Sequence, residues 1–156
     1  MPALTELVND FLAQQRIAVA GVSRDAAAPA NAIYKKLKQA NYLVFAVNPN
    51  AAEIEGDKCY PNLQAIPGGV DAVMVATHPA VSDQIVRDCL EIGVNRVWFH
   101  RSFGQGSFSQ QAADFCRDNG IAVIPAGCPM MFVEPDIAHK CFRWFLGVTG
   151  GIPKEV

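Results

Sequence analysis

Residues 16–49, RIAVAGVSRDAAAPANAIYKKLKQANYLVFAVNP, constrain the fold more than any other stretch of the chain. Ile17 to Ala20 is a short apolar β run, and Gly21 breaks it where a parallel strand hands over to its helix. A loop carrying Ser23 and Arg24 follows. Asn31 reads as the N-cap of a helix whose Ile33, Leu37 and Ala40 share one face while Lys35, Lys36 and Lys38 point outward. Leu43 to Val47 is apolar again, and Asn48-Pro49 stops it. Strand, glycine, helix and strand in that order bring bare backbone N–H groups and a helix N-terminus to one spot, an arrangement suited to an anionic ligand.

The remainder repeats and closes this unit. Leu4, Leu7, Val8, Phe11 and Leu12 have the spacing of an amphipathic helix that covers an edge or face of a sheet. Val70 to Ala76, Arg96 to His100 and Ile121 to Ile124 read as further strands. Between them, Val81, Ile85, Val86, Cys89 and Leu90 form the inner face of a helix ended by Gly93. Phe108, Ala112, Phe115 and Cys116 carry the next, after the turn RSFGQGS, with Ser107 or Ser109 as cap and Gly120 at its end. Residues 51–69 have turn formers and no period. Ile54, Leu63 and Ile66 are spaced there as anchors, and Tyr60-Pro61 either packs or makes a stiff wall near a ligand.

Strands alternating with helices predict an α/β fold: a Rossmann-like, doubly wound parallel sheet of about five strands in order 3-2-1-4-5, with helices on both faces. The whole chain, residues 1–156, reads as a single domain. Its last helix, from Pro135 to about residue 147, has Ile137, Ala138, Cys141, Phe142, Trp144, Phe145 and Leu146 on more than one side. That distribution predicts burial between layers or a homo-oligomer contact.

A net charge of −2 gives no reason to expect nucleic acid, and MPALTELVNDFLAQQ has neither the apolar run of a membrane span nor that of a signal peptide. The expected setting is cytoplasmic. The five cysteines lack CxxC spacing, three of them fall in or next to apolar helical faces, and they read as reduced thiols used as small hydrophobes.

In a doubly wound sheet the ligand lies beyond the carboxyl ends of the strands, which puts Gly21 to Arg24, Asn48-Pro49, Thr77 to Pro79 and His100-Arg101 along one rim. An NAD fingerprint would place glycines where this chain has Ser23 and Ala26. It would also end the second strand on an acid for the ribose diol, and Asn48 stands there instead. Without that charge the corner can accept a ribose phosphate, with Arg24 and Lys35 or Lys36 as counter-charge. His78 and His100 sit at strand ends where an acid or base is useful, but capping and ligand contact also account for them. Cys128 has no recognisable Cys/His/Asp order around it, and Cys128, His139 and Cys141 lack metal-ligand spacing, so no catalytic or metal residue is assigned.

Four features in sequence resemble the small bacterial CoA-binding proteins, themselves similar to the N-terminal CoA-binding domain of the succinyl-CoA synthetase α subunit. They are the strand-GxS at Gly21, the YLVFAVNP end of the second strand, the G-x-x-x-Y-P-x-L run from Gly56 to Leu63, and the IP-x-x-VD entry to the third strand. The resemblance covers roughly residues 10–128. It implies CoA or an acyl-CoA as ligand, with Gly21, Val22 and Ser23 on the phosphates, Asn48-Pro49 near the adenosine end, and Thr77, His78 and Pro79 along the cofactor. The chain departs from the family's usual pattern at Ala126-Gly127 and at Met130. The synthetase's phosphorylated histidine lies in a further domain for which this sequence is too short, so ligase activity is not implied. The expected role is a non-catalytic carrier or sensor; the alternative is an NAD(P)-binding enzyme or redox sensor on the same fold. Gly21 is read as the point of closest ligand approach, so Gly21→Leu is expected to remove binding and leave the fold intact.

Overall fold

The computed structural model describes residues 2–101, 105–134 and 137–150. Ser102, Phe103 and Gly104 of the RSFGQGS turn, the expected helix start at Pro135, and the side chains of Ile137, Ala138 and Phe142 lie outside the described residues. In chain order the elements are α1 (Leu4–Leu12), β1 (Arg16–Ala20), α2 (Pro29–Gln39), β2 (Leu43–Val47), β3 (Glu53–Ile54), β4 (Asp57–Tyr60), β5 (Ala72–Val75), α3 (Pro79–Glu91), β6 (Arg96–Phe99), α4 (Gln110–Asp118), β7 (Ala122–Ile124) and α5 (Ile137–Thr149). One seven-stranded sheet has the order β3-β4-β2-β1-β5-β6-β7. Its pairs are parallel except for β3 with β4.

Alternation along each strand feeds two cores. Ile17 and Val19 of β1 face α1, α2 and α5, where Phe11 meets Trp98 edge-on at 5.3 Å between ring centroids. Ala18 and Ala20 face the other way, toward α3 and α4, with Ile85, Val86, Cys89, Ala113 and Cys116. Small residues on that side of β1 let the α3 layer come close. The doubly wound architecture with helices on both faces is therefore present.

The strand count and order differ from the sequence expectation. The strand expected third, β5, pairs with β1, and β4 occupies the place beside β2. The sequence DKCY of β4 contains no apolar run, and only Cys59 within it is buried, so its strand character comes from pairing Ala46↔Cys59 and Val47↔Tyr60. The chain reaches it through a tight hairpin in which Glu55 and Gly56 have φ of 54° and 78°, the succession of positive φ that a two-residue primed turn requires.

The connection from β4 to β5 has no crossover helix, only a 3-10 turn at Leu63–Ala65. Leu63 and Ile66 are buried as anchors, and Arg16 holds the segment by donating from Nε to Gly69 O at 2.9 Å and from Nη2 to Pro67 O at 2.6 Å. A groove is left between this thin connection and α3.

The helices meet expectation at the cap of α4 and depart from it elsewhere. The residue before α2 is Ala28, with Pro29 starting the helix, so Asn31 is not the cap but a buried residue in the helix's first turn. Ser109 caps α4 by accepting from Ala112 N, whereas Ser107 is buried with its Oγ 2.6 Å from Val75 O. On α3, Ser82 takes an inner position, and Val81 and Leu90 are 48% and 41% exposed. On α5, Leu146 is buried, but Trp144 and Val148 are 71% and 69% exposed. Among the described residues no helix is long and apolar enough to cross a membrane.

Candidate functional site

The order of strands reverses between β1 and β5, whose connections leave toward opposite faces, so a crevice opens beyond their carboxyl ends. Its volume is about 580 Å³, within the range of small-molecule sites. Gly21, Val22 and Ser23 after β1, Asn48 and Pro49 after β2, and Thr77 and His78 after β5 all line it. The other residues expected at the site lie elsewhere. Pro79 is the first residue of α3 and does not line the crevice. Arg24 lines a smaller recess of about 200 Å³ next door, together with Ser23, Asn31, Glu53 and Glu55. Lys36 is in the last turn of α2, while the loop sits at that helix's start, and it lines neither space. Lys35 is paired with Glu55 at 3.7 Å.

Gly21 has φ +105°, and a Cβ there would sit 2.5 Å from Ala76 O and 2.6 Å from Ala76 C. The close approach that demands glycine is thus between β1 and β5, not between the loop and a ligand. This overturns the expectation that Gly21→Leu leaves the fold intact.

The other rim side chains are held by their neighbours. Asn48 Nδ2 donates to Val22 O at 2.8 Å and its Oδ1 accepts from Asn50 N at 2.8 Å, so its carboxamide ties the end of β2 to the loop after β1. Thr77 Oγ1 is 3.2 Å from Ser82 Oγ, and Ser82 Oγ donates to Ser107 O at 2.7 Å. Ser82 has one proton and it is committed, so Thr77 is the donor in their pair and keeps lone pairs for an incoming N–H. His78 Nδ1 accepts from Ala80 N at 3.2 Å, which caps α3 and leaves Nε2 as the N–H of the neutral ring. His100 is outside the crevice, and burial holds its pKa below the usual imidazole value.

Sequence reasoning did not find the far wall. Val81, Gln84, Ile85 and Asp88 line the crevice from one stripe of α3, facing Pro61 and Asn62. Val81 and Ile85 read as part of the helix's apolar inner face, and Gln84 and Asp88 as its polar side, unless the missing neighbour is known. Asp88 is the one formally charged side chain on the crevice wall among the described residues. No group of three or more His, Cys, Asp or Glu capable of holding a metal occurs among the described residues.

Comparison with known proteins gives a consistent result. The sequence matches the CoA binding domain family over residues 15–134. The chain is 32% identical over 89 residues to ADP-forming acetate–CoA ligase II of Archaeoglobus fulgidus, covering 56% of this chain and 13% of that protein. It is 30% identical over 92 residues to the α subunit of ADP-forming acetate–CoA ligase II of Pyrococcus furiosus, covering 58% of this chain and 20% of that one. The chain thus spans a fifth or less of these curated relatives' length. Among solved structures, a hypothetical protein of Pyrococcus horikoshii superposes with a TM-score of 0.75 at 25% identity, covering 83% of this chain and 88% of that chain. A conserved hypothetical protein of Pyrococcus furiosus gives 0.65 at 31% identity, covering 74% and 97%. With the match running from before β1 to beyond β7, the chain belongs to the CoA binding domain family.

Proposed function

We propose that this protein binds CoA or an acyl-CoA in the crevice and holds it without chemistry, as a carrier or sensor. The observation that supports this most is the coincidence of the family match with an open crevice at the strand-order reversal whose β2 corner ends in Asn48 rather than an acid. In this reading the loop after β1 meets the phosphates, Asn48, Pro49 and Pro61 surround the adenosine end, and Thr77 and His78 follow the rest of the ligand. Arg24 faces the ribose phosphate.

Calorimetric titration with CoA, 3′-dephospho-CoA and NAD tests it. Removing the ribose phosphate takes away a charge-assisted hydrogen bond, and affinity is expected to fall roughly 10- to 100-fold. Equal affinity for both CoA forms would reject the Arg24 corner. Tighter binding of NAD than of CoA would favour the nucleotide-dependent enzyme or redox sensor instead.

The outward residues Trp144, Phe145 and Val148 of α5 are further proposed to form a contact between copies of the chain, since exposed apolar clusters favour association. Sedimentation should show wild-type protein heavier than Trp144→Asp, and identical monomer profiles would dismiss the contact.

A further inference from the structure

The loop between β1 and α2 has an alternating pattern of occupied amides. Ser23 N donates to Asn31 Oδ1 at 2.8 Å, Asp25 N to Ser23 Oγ at 3.0 Å, and Ala27 N to Asp25 Oδ1 at 3.0 Å. The amides between them, of Val22, Arg24 and Ala26, have no hydrogen-bond partner among the described residues. Val22 lines the crevice, while Arg24 and Ala26 are exposed and line the recess that shares Ser23 with it, so these amides are positions for water or an anionic ligand.

Asn31 starts this pattern. It is 1% exposed and makes three hydrogen bonds. Besides accepting from Ser23 N, its Nδ2 donates to Ser23 O at 2.7 Å and to Glu55 Oε1 at 2.9 Å. It therefore grips both backbone groups of Ser23 and fastens them to the β3–β4 hairpin. Glu55 is at φ 54°, an uncommon conformation for a residue with a side chain, and Lys35 Nζ lies 3.7 Å from the same Oε1 that Asn31 bonds. With the Ser23, Asp25 and Ala27 amides consumed, the loop can offer a ligand the amides that alternate with them, of Val22, Arg24 and Ala26.

We propose that Asn31 is a positioning residue for the ligand's phosphates: through its link to Glu55 it fixes Ser23 so that the Val22, Arg24 and Ala26 amides face the anion. This rests on the CoA reading above and assigns the direct phosphate donors differently, to Val22, Arg24 and Ala26 N–H and not to Ser23 N–H. Asn31 itself does not touch ligand.

The test is titration of CoA into wild type, Asn31→Ala, Asn31→Asp and the double variant Asn31→Asp/Glu55→Gln, each shown to be folded by its urea unfolding curve. Asn31→Ala is expected to weaken CoA roughly 10- to 100-fold, the range of one to two lost hydrogen bonds to a charged group. Asn31→Asp should be at least as weak, because its carboxylate opposes Glu55. The double variant has the wild-type net charge and restores a bridge with donor and acceptor exchanged, so it should recover affinity relative to Asn31→Asp, which a merely structural role does not require. Amide exchange in the free protein gives a ligand-independent reading: Ser23 N–H should be protected in wild type and exposed in Asn31→Ala. Wild-type affinity in a folded Asn31→Ala, or no recovery in the double variant, overturns the positioning role alone. Failure of wild type to bind CoA overturns the CoA reading and this role together.

Discussion

Gly21→Ala is expected to destabilise the fold by roughly 2–6 kcal/mol, the sum of forcing a side-chain-bearing residue into positive φ and overpacking a tight contact. The added Cβ would lie 2.5 Å from Ala76 O, and this neighbour is backbone in the strand beside it, which cannot rotate aside as a side chain does. Relief would require β1 and β5 to separate at their carboxyl ends, in the middle of the sheet. Urea unfolding should show a lower midpoint with an unchanged slope. Such a loss is a large fraction of the roughly 5–15 kcal/mol that holds a domain together. A midpoint indistinguishable from wild type would show that β1 and β5 do not approach as described.

Gly21 substitutions therefore cannot report on binding alone, and Val81 is the better probe. Val81 is 48% exposed on the α3 wall of the crevice, so Val81→Trp adds bulk inside the ligand space without entering the core. Unfolding free energy should stay within roughly 0.5 kcal/mol of wild type. Affinity for CoA should fall on the order of 100-fold or more, an occluding ring costing the ligand at least two tenfold steps of about 1.4 kcal/mol each. Leu90→Trp is the control: Leu90 is 41% exposed on the same helix but does not line the crevice, and its substitution should leave affinity unchanged. Equal binding by both variants and wild type would move the ligand off this wall.

These two residues show where sequence reading stops. Gly21 is legible as a strand-ending glycine, yet the atom it avoids belongs to Ala76, 55 positions later. Val81 fits an apolar helical stripe, yet it faces open space because the connection after β4 has a single 3-10 turn opposite α3. Lys36 reads as a phosphate neighbour from its helix alone, and its place in the last turn of α2 sets it at the end away from the loop after β1. Asn31 reads as a cap because that is the usual use of a polar residue near a helix start; its partners, Ser23 and Glu55, come from two other segments.

The sequence alone determined the β1–Gly21–α2–β2 unit, the two-faced α/β sheet and the rim on which Gly21 to Ser23, Asn48-Pro49 and Thr77-His78 converge. Those features rest on periodicity and on residues that act within a few positions of themselves. Only the tertiary structure decided that DKCY is a strand beside β2, that β5 lies on the other side of β1, and that a groove opens along α3. Each of those outcomes is set by pairing and packing between segments far apart in the chain, where no local pattern records the partner.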